Sequence, residues 1–318
     1  MAPRMPSPPG PKRPPTQTRQ QVRAPVPGAA PGGARKAASQ SAPKRALYWL
    51  ASYPKSGNTW TRIFLANYLF DRKTPMPINQ VHRIGMGDAI PKAYAPFAGG
   101  PFDPTSHEQS ITIRPRMLRA LASGDADLMF VKTHNARRSV LGEALIPLAL
   151  TRGAAYIIRH PLDVACSYAR HYGTTPEEAC EGLSRADHLI VGDQGTVPQY
   201  LGDWSEHVRS WTQPRDIPVL VLRYEDLLAD PTAGFTSLLE HIGVPVVEER
   251  LARAVRFSSF DEVRAQEEQA GFVEKSPSAQ RFFHAGGSGK WREKIAPKKA
   301  AAFAEKHRAV MERYGYTV

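Results

Sequence analysis

Residues 47–70 constrain the fold more than any other stretch, because they predict three elements in a fixed order. The stretch reads LYWLASYPKSGNTWTRIFLANYLF and begins with a short apolar, aromatic-rich run that is typical of a buried strand. Its second half spaces apolar residues as one face of a helix does. Between the two halves, Pro54 removes a backbone hydrogen-bond donor and Gly57 permits a tight turn. We therefore predict a strand, a loop and a helix.

The loop of this unit collects groups that bind anions. The first turn of a helix has unpaired N–H groups and partial positive charge, so an anion placed there gains several hydrogen bonds. Lys55 adds a full charge, and Gly57 lets the backbone approach a ligand closely. Ser56, Asn58 and Thr59 add short donors that suit phosphate or sulfate oxygens. An ordinary turn with a solvated lysine does not account for this set, so we interpret the loop as an anion site.

The same loop resembles one of a known family. Its Lys55 precedes Gly57, the reverse of the nucleotide-binding pattern G-x-x-x-x-G-K-[ST]. Residues 53–60, YPKSGNTW, closely resemble the 5′-phosphosulfate loop YPKSGTTW of sulfotransferases that use 3′-phosphoadenosine 5′-phosphosulfate (PAPS). The resemblance implies that Trp60 packs near the adenine. It also implies that the phosphosulfate is held by Lys55, Ser56, Gly57, Asn58 and Thr59.

The first 46 residues differ in composition from the rest of the 318-residue chain. They contain no Asp or Glu, nine Lys or Arg residues, and many Pro, Gly, Ala and Ser residues. Such a segment has too few large apolar side chains to offset the roughly 1–2 kcal/mol per residue that ordering a backbone costs. We predict a disordered basic tail at residues 1–46 and a single domain at residues 47–318, long enough for a large α/β core.

The positive charge of the chain is concentrated in that tail. Its nine basic residues supply +9 of the formal net charge of +12, which leaves +3 for residues 47–318. This distribution favours a solvated, non-specific arm over specific nucleic-acid binding. The sequence has no run of about 20 apolar residues that would span a membrane, and no apolar core of a secretion signal. We expect a cytoplasmic protein and leave its oligomeric state open.

The sequence contains only two cysteines, Cys166 and Cys180. They are too few for a disulfide framework, and their surroundings show no metal-ligand spacing. We therefore expect reduced thiols and no bound metal.

A second strand, predicted over residues 127–132 (DLMFVK), leads directly into Thr133 and His134. A histidine just past a strand end lies where open α/β sheets place ligands. Its unperturbed pKa near 6.5 allows the imidazole to take a proton from a hydroxyl at neutral pH, which accelerates a reaction about 10²–10⁴-fold. From position alone, a structural or solvated histidine is the competing interpretation.

Residues 132–134 resemble the KTH motif of the same family. In that motif the histidine deprotonates the acceptor and the lysine interacts with the transferring sulfuryl group. The resemblance therefore implies a general base at His134 and a charge-stabilising cation at Lys132. The family has a proline two places after the histidine, whereas Asn135 and Ala136 follow here.

A third apolar run, residues 154–158, ends at Arg159, whose planar fork can hold a phosphate through two N–H bonds. Ser167 lies two turns along the helix that follows, and a surface ion pair of Arg159 is the competing interpretation. Residues 156–168, YIIRHPLDVACSY, resemble the 3′-phosphate signature YxxRNPxDVxxSY, with His160 in place of Asn. The resemblance implies that Arg159 and Ser167 bind the 3′-phosphate.

Three further stretches resemble family segments that contact the nucleotide. Tyr224 opens YEDL after the strand-like residues 217–222, which implies a place near the adenine. Residues 257–263 (FSSFDEV) resemble the adenine-contacting TSFxxM, which implies roles for Ser258 and Phe260. Gly286 lies in a stretch that resembles RKGxxGxW, the loop that closes over the 3′-phosphate.

That glycine loop departs from the family pattern, because His284 and Ala285 stand where Arg and Lys are expected. Three explanations remain open: Arg281, Lys290 or Arg292 compensates, the 3′-phosphate is bound more weakly, or the donor differs. Elsewhere, residues 71–110 are predicted to be a long Pro- and Gly-rich loop that shapes the acceptor pocket. Residues 176–190 and 199–213 are predicted to be helical.

These resemblances occur in the family's order from residue 48 to about 292. They imply an α/β fold with a central parallel sheet flanked by helices, the P-loop-like sulfotransferase fold. They also imply sulfuryl transfer from PAPS to a hydroxyl or amine of a small-molecule acceptor. In this reaction His134 is the base and Lys55 and Lys132 offset charge, so alignment and electrostatics suffice without a metal. A phenol, sugar, lipid or natural-product alcohol all remain open as acceptors.

Two rival functions remain open. A nucleotide kinase or other P-loop phosphotransferase would require ATP and Mg²⁺ and the glycine-lysine order that this loop lacks. A catalytically inactive nucleotide-binding module would keep the nucleotide pocket, and the altered loop at Gly286 motivates it.

Overall fold

The structure is a computed structural model that describes residues 46–124, 126–284 and 286–318. The predicted tail lies outside these residues except for Ala46. That alanine is buried, and its carbonyl oxygen accepts a hydrogen bond from the Met129 N–H (2.8 Å). The packed domain therefore includes Ala46.

A five-stranded sheet forms the centre of the described chain. In chain order the strands are β1 (Leu47–Ser52), β2 (Met86–Gly87), β3 (Met129–Thr133), β4 (Ser139–Val140), β5 (Glu143–Ala144), β6 (Thr151–Ile158), β7 (Leu189–Ile190), β8 (Gln199–Tyr200) and β9 (Val219–Arg223). The central sheet has the order β2-β3-β1-β6-β9, and all of its pairs are parallel. The pairs β4–β5 and β7–β8 form two separate antiparallel ribbons.

Eleven α-helices occur in the described residues. They are α1 (Asn58–Phe70), α2 (Pro91–Tyr94), α3 (His107–Ala122), α4 (Pro161–Tyr172), α5 (Pro176–Leu183), α6 (Trp204–Thr212), α7 (Tyr224–Ala229), α8 (Pro231–Ile242), α9 (Glu248–Phe257), α10 (Phe260–Ala270) and α11 (Pro297–Arg313). Short 3₁₀ helices occur at Ile78–Arg83, Ala95–Phe97, Leu148–Leu150 and Lys290–Glu293. Within the described ranges, we find no helix with the length and hydrophobicity of a membrane span.

The predicted loop at residues 71–110 contains short helices and β2, and both predicted helices differ in extent from the structure. The helix predicted over residues 176–190 ends at Leu183, and Leu189–Ile190 pair as a strand with Gln199–Tyr200 instead. The second predicted helix begins only at Trp204, capped by Asp203, whose side chain accepts a hydrogen bond from the Glu206 N–H.

Strand β1 shows how the sheet comes to lie between helices. All six of its residues are buried, as expected for a strand inside a parallel sheet. Alternate side chains face opposite sides: Trp49 packs in a cluster with Leu162 of α4, and Leu50 packs in another with Phe64 of α1. Helices therefore cover both faces, and the predicted α/β fold with a central parallel sheet is confirmed.

The loops that carry the predicted site residues lie at the carboxyl ends of three neighbouring strands. Strand β1 pairs with β3 on one side and with β6 on the other. The register aligns Ala51 with Thr133 and Ser52 with Ile157. The loop after β1, the turn after β3 and Arg159 after β6 therefore leave the sheet side by side. In open parallel sheets, ligands bind at this end.

Candidate active site

The β1–α1 loop (residues 53–57) turns through left-handed backbone at two positions. Lys55 has φ 69° and Gly57 has φ 110°. A Cβ atom on Gly57 would lie 2.8 Å from Cδ2 of Tyr224, closer than real side chains approach, so only glycine fits. At the start of α1, Asn58 Nδ2 donates to the Leu50 carbonyl oxygen (2.8 Å). These contacts fix the loop between the strand end and the Tyr224 ring.

Two hydroxyl groups beside this loop have different surroundings. Ser56 Oγ is buried and has no hydrogen-bond partner among the described residues. An unpaired buried hydroxyl costs about 1–3 kcal/mol, so this donor fits an anion held in the loop. Thr59 Oγ1 instead donates to Glu274 (3.2 Å), which also accepts two bonds from Arg62 (2.6 and 3.3 Å). The Thr59 hydroxyl proton is thus used within the protein, and its backbone N–H is the group left to bind an anion.

Lys55 extends from the loop into a cluster of rings. Its Nζ lies 3.4 Å from Nδ1 of His171 and 3.9 Å from the centroid of the Phe282 ring. Burial, followed by the charge of Lys132, lowers the pKa of Lys55 to about 7. A negatively charged ligand would offset both effects, so the ammonium group fits an anionic partner.

His134 is the first residue after β3. Its Nδ1 lies 2.9 Å from the carbonyl oxygen of Ser52, and a carbonyl can only accept a hydrogen bond. Nδ1 therefore carries the proton, and Nε2 keeps a lone pair that can take up a proton. Burial, followed by the charge of Lys132, lowers the pKa of His134 well below its usual value, so the ring is neutral at neutral pH. This is the tautomer and charge state that a general base requires.

A second histidine supports the backbone of His134. His207 is fully buried, and its Nε2 donates to the His134 carbonyl oxygen (3.0 Å). Its Nδ1 accepts a hydrogen bond from the Tyr156 hydroxyl (2.9 Å). Burial lowers the pKa of His207 to about 4, which keeps this donor and acceptor pattern intact at neutral pH.

Arg159, the residue after β6, joins two loops. One terminal nitrogen donates to the Lys55 carbonyl oxygen (3.0 Å) and the other to that of Gly287 (3.1 Å). The guanidinium lies over the Tyr224 ring, 4.4 Å from its centroid. Arg159 therefore connects the β1–α1 loop to the glycine loop (residues 286–291).

Residues at the start of α4 fix the glycine loop and the chain behind it. Asp163 accepts hydrogen bonds from the N–H groups of Gly289 (2.7 Å) and Trp291 (3.2 Å). His160 Nδ1 accepts from the N–H of the second residue of α4 (3.3 Å), and its Nε2 donates to the Thr317 carbonyl oxygen (3.0 Å). An imidazole thus caps this helix, a role for which asparagine is favoured elsewhere.

A cavity of about 620 Å³ opens between the β1–α1 loop, α4 and the glycine loop. Its lining includes apolar and aromatic side chains, namely Trp60, Tyr224, Leu227, Leu228, Val255 and Phe260. It also includes six cations, namely Lys55, Arg159, Arg170, Arg281, Lys290 and Lys294. Asp163 is the only acid among its described lining residues. The cavity therefore fits a ligand that has an aromatic ring and several negative charges.

Ten of the predicted binding residues line this cavity: Lys55, Gly57, Thr59, Trp60, Arg159, Ser167, Tyr224, Ser258, Phe260 and Gly286. Ser56 of the β1–α1 loop and Asn58, the first residue of α1, are both buried. Lys132 and His134 are not among the described lining residues, and His134 lies at the next strand end, against Ser52. The hydroxyl of Ser258 already donates to the carbonyl oxygens of Ala254 and Val255, so it can only accept from a ligand.

Sequence reasoning missed two cavity cations and one carboxylate. Arg170 lies three residues after Ser167 on α4, and this spacing places both on one helix face, which was the signal available. Lys294 also lines the cavity. Glu274 contacts Thr59 and Arg62 across more than 200 residues of sequence, so no local pattern marks it.

Two of the three cations suggested as replacements in the glycine loop line the cavity. They are Arg281 and Lys290, whereas Arg292 stacks on the Trp291 ring at 4.5 Å. His284 lines the cavity as well, and its pKa is lowered by burial and then by the surrounding cations, of which Arg170 has the largest effect.

This fold and this cavity are typical of α/β proteins in which an anionic ligand binds at the carboxyl ends of parallel strands. A model of the sulfotransferase domain matches residues 47–315, and the chain belongs to this family of enzymes. Sulfotransferase 1A1 of Bos taurus is 28% identical over 222 residues, which are 68% of this chain and just under two thirds (65%) of the relative. Sulfotransferase 1A1 of Canis lupus familiaris is 26% identical over 278 residues, 84% of this chain and 83% of the relative.

Two solved structures share the fold. Retinol dehydratase in complex with androsterone and the inactive cofactor PAP has a TM-score of 0.58 at 18% identity, covering 84% of this chain and 81% of that one. The mouse sulfotransferase SULT7A1 complexed with PAP has a TM-score of 0.56 at 19% identity, covering 84% and 85%. The predicted family, fold and enzyme class are confirmed.

Proposed function

We propose that this protein transfers a sulfuryl group from PAPS to a hydroxyl or amine group of a small-molecule acceptor. The contact between His134 and Ser52 carries the proposal, because it holds a neutral base with an unprotonated Nε2 against the residue that lies three positions before Lys55. PAP, the desulfated form of PAPS, is bound in both structural relatives, which supports PAPS as the donor. Androsterone in one of them supports a small-molecule acceptor.

The residues present fit this donor. The buried Ser56 hydroxyl and the Lys55 ammonium group each call for an anion, and the aromatic part of the cavity suits an adenine. Bound PAPS supplies the sulfuryl group and a phosphate leaving group. For the phosphosulfate we assign Lys55, Ser56, Gly57, Asn58 and Thr59; for the adenine, Trp60, Tyr224, Ser258 and Phe260; and for the 3′-phosphate, Arg159, Ser167 and Gly286.

Arg170, Lys290 and Lys294 offer a replacement for the Arg-Lys pair that the glycine loop lacks. They line the cavity together with Ser167, and the charge of each lowers the pKa of His284, which lines the same cavity. We assign them to the 3′-phosphate end of the site, defined as Ser167, Arg170, His284, Lys290 and Lys294. Helix α4 thus contributes a cation that the glycine loop does not.

The opposite, sulfuryl end is defined as Ser52, Lys55, Lys132 and His134. His134 Nε2 takes the proton from the acceptor hydroxyl or amine, while the bond from its Nδ1 to Ser52 fixes the ring. Lys55 and Lys132 offset the negative charge that develops on the sulfuryl group and the leaving phosphate. The Lys55 ammonium group already lies against His171 and the Phe282 ring, so little reorganisation of this cation is needed.

Sulfate transfer from PAPS to a panel of phenols, sugars, sterols and amines, followed by the mass gain of one sulfate, tests the proposal. We expect turnover with at least one acceptor. Lys55→Ala should lower the rate about 10²–10³-fold and His134→Ala about 10²–10⁴-fold. His82→Ala is the control. It changes an exposed histidine that is not among the lining residues of the cavity, and it should keep the full rate. Normal turnover in both site variants contradicts the assigned roles.

The same assays separate the rival functions. Phosphate transfer that depends on ATP and Mg²⁺, with no use of PAPS, would support a phosphotransferase. Binding of PAP without transfer to any acceptor would support an inactive nucleotide-binding module, for which the altered glycine loop is the structural motive.

A further inference from the structure

Asp88 holds the turn that carries His134. Its backbone N–H donates to the Lys132 carbonyl oxygen (3.0 Å). Its Oδ2 accepts hydrogen bonds from the Thr133 hydroxyl (2.7 Å) and from Nδ2 of Asn135 (3.1 Å). One residue therefore contacts the two residues before His134 and the one after it, while the imidazole itself is directed to Ser52.

A buried arginine holds Asp88 in place. Arg114 donates to Oδ2 of Asp88 (2.5 Å) and to its carbonyl oxygen (3.2 Å). The same guanidinium also donates to the Tyr94 hydroxyl (3.0 Å) and the Leu145 carbonyl oxygen (2.9 Å). The Asp88 and Arg114 side chains are only 1% and 3% exposed, so the pair is anchored on several sides and shielded from water.

The same contacts explain the departure from the family's proline. Asn135 uses its other amide atom as well, because Oδ1 accepts the Tyr200 N–H (2.8 Å). The Ala136 N–H donates to the Tyr200 carbonyl oxygen (2.8 Å), a bond that a proline at this position could not make. The turn is thus fixed by hydrogen bonds from Asp88 and Tyr200 where the family pattern has a rigid ring.

We infer that Asp88 is a positioning residue that holds His134 in register with the sulfuryl end, acting through Thr133 and Asn135. The inference rests on the proposed function. A base must lie within hydrogen-bond reach of the proton that it removes, and a displacement of about 1 Å can cost on the order of 10²-fold in rate. Because the Asp88 carboxylate contacts the Thr133 and Asn135 side chains and not the imidazole ring, its removal should lower kcat and leave nucleotide binding unchanged.

Asp88→Asn tests this inference, since it keeps the shape and one acceptor oxygen but removes the charge. We expect kcat to fall about 10- to 100-fold, while the Kd for PAP changes less than twofold. In a His134→Ala background the same substitution should cause no further loss, because Asp88 acts only through the base. Asp216→Asn is the control: it removes an exposed carboxylate that pairs with Arg137, just beyond the same turn, and should leave kcat unchanged.

Asn135→Ala keeps the Asp88–Arg114 pair and guards against misfolding of the first variant. We expect a threefold to tenfold loss of kcat with the same Kd for PAP. Equal losses of kcat and PAP binding, or a further loss in the His134→Ala background, would assign Asp88 a purely structural role and overturn the inference.

Nitrogen-15 NMR of the histidine rings gives a readout that needs no turnover. In the unsubstituted protein, the His134 signals should show a protonated Nδ1 and an unprotonated Nε2. In Asp88→Asn they should shift towards a mixture of tautomers, while those of His188 stay constant. Unchanged His134 signals overturn the positioning role, whereas failure of the unsubstituted protein to use PAPS overturns only the proposed reaction.

Discussion

The sulfuryl end and the 3′-phosphate end of the proposed site hold their charged groups in different ways. At the sulfuryl end no residue is exposed, and Ser52 and His134 are tied to each other by a hydrogen bond. At the 3′-phosphate end, four of the five residues are exposed cations or histidine, namely Arg170, His284, Lys290 and Lys294. One end is therefore defined by geometry and the other by the amount of charge.

This difference shows which departures from the family pattern the site tolerates. Near His134 the missing proline is replaced by specific bonds from Asp88 and Tyr200, each of which needs one partner in one place. For the Arg-Lys pair that is missing just before the glycine loop, we propose replacement by other cations of the cavity, such as Arg170 of α4. Charge can be supplied from several directions, because Coulomb attraction depends on distance and only weakly on orientation.

The largest expected effect is the loss of stability in Gly57→Ala, which should exceed the loss in Gly287→Ala. Both glycines have left-handed backbone, with φ 110° and 79°, which costs any other residue roughly 1–2 kcal/mol. A Cβ on Gly57 would meet the Tyr224 ring at 2.8 Å, which adds about 1–3 kcal/mol of overpacking. A Cβ on Gly287 would find nothing nearer than Lys290 Cε at 3.7 Å.

Urea unfolding of both variants measures this difference. We expect Gly57→Ala to lower the free energy of unfolding by about 2–5 kcal/mol and Gly287→Ala by about 1–2 kcal/mol. Equal losses would mean that the β1–α1 loop is no more tightly packed than the glycine loop, and the comparison between the two ends would fail.

Much of this architecture could be predicted because its signals are local. The apolar runs 127–132 and 217–222 became β3 and β9 with small shifts at their ends, since buried parallel strands are short, continuous and bounded by polar residues. The loop at residues 53–57 could be predicted for the same reason. Its residues are adjacent in the sequence, so together they form a motif that can be recognised without the structure.

The remaining features depend on residues that are distant in sequence. Residues 71–110 were predicted to be a loop, yet they contain β2, a strand of two residues that exists only because it pairs with β3. Asp88 follows that strand directly, and its contacts reach Arg114, Thr133 and Asn135, 26 to 47 positions away. No periodicity in the sequence reports such a network, because each of its bonds forms only once the sheet has assembled.

Acid should weaken the sulfuryl end before the 3′-phosphate end. Burial lowers the pKa of His207 to about 4, so between pH 6.5 and 4 the unfolded chain binds a proton there that the folded chain does not. Its contribution to stability is therefore complete above pH 6.5 and is lost as the pH falls, by about 1.4 kcal/mol per pH unit.

Chemical unfolding at a series of pH values, compared between two variants, checks this expectation. His207→Gln should reduce the slope of stability against pH, because the titrating group is gone. His284→Gln changes an exposed histidine whose pKa is lowered less strongly, and it should reduce the slope less than His207→Gln does. If the slope is the same in all three proteins, His207 is not the group that titrates.

Nucleotide binding should weaken above neutral pH because of Lys55. Its pKa of about 7 means that the charged fraction in the free protein falls from about one half at pH 7 to about one tenth at pH 8. The Kd for PAP should therefore rise about fivefold between pH 7 and pH 8. Calorimetry in different buffers should show that the protein takes up protons when PAP binds. Lys55→Arg stays charged and should remove the dependence, whereas Lys290→Arg at the other end should keep it.

The smallest effects should come from single cations at the 3′-phosphate end. Exposed charge pairs contribute only about 0.2–1 kcal/mol, so Arg170→Gln and Lys294→Gln should each raise the KM for PAPS about two- to fivefold and leave kcat unchanged. The double variant should show the product of the two effects, and 0.5 M salt should largely abolish them, because the Debye length then falls below 5 Å.

Arg170→Lys should restore the unsubstituted KM, since the site uses charge more than shape. A hundredfold loss from Arg170→Gln alone, or no recovery with lysine, would show that this arginine binds the phosphate with a fixed geometry, and the 3′-phosphate end would then be organised like the sulfuryl end.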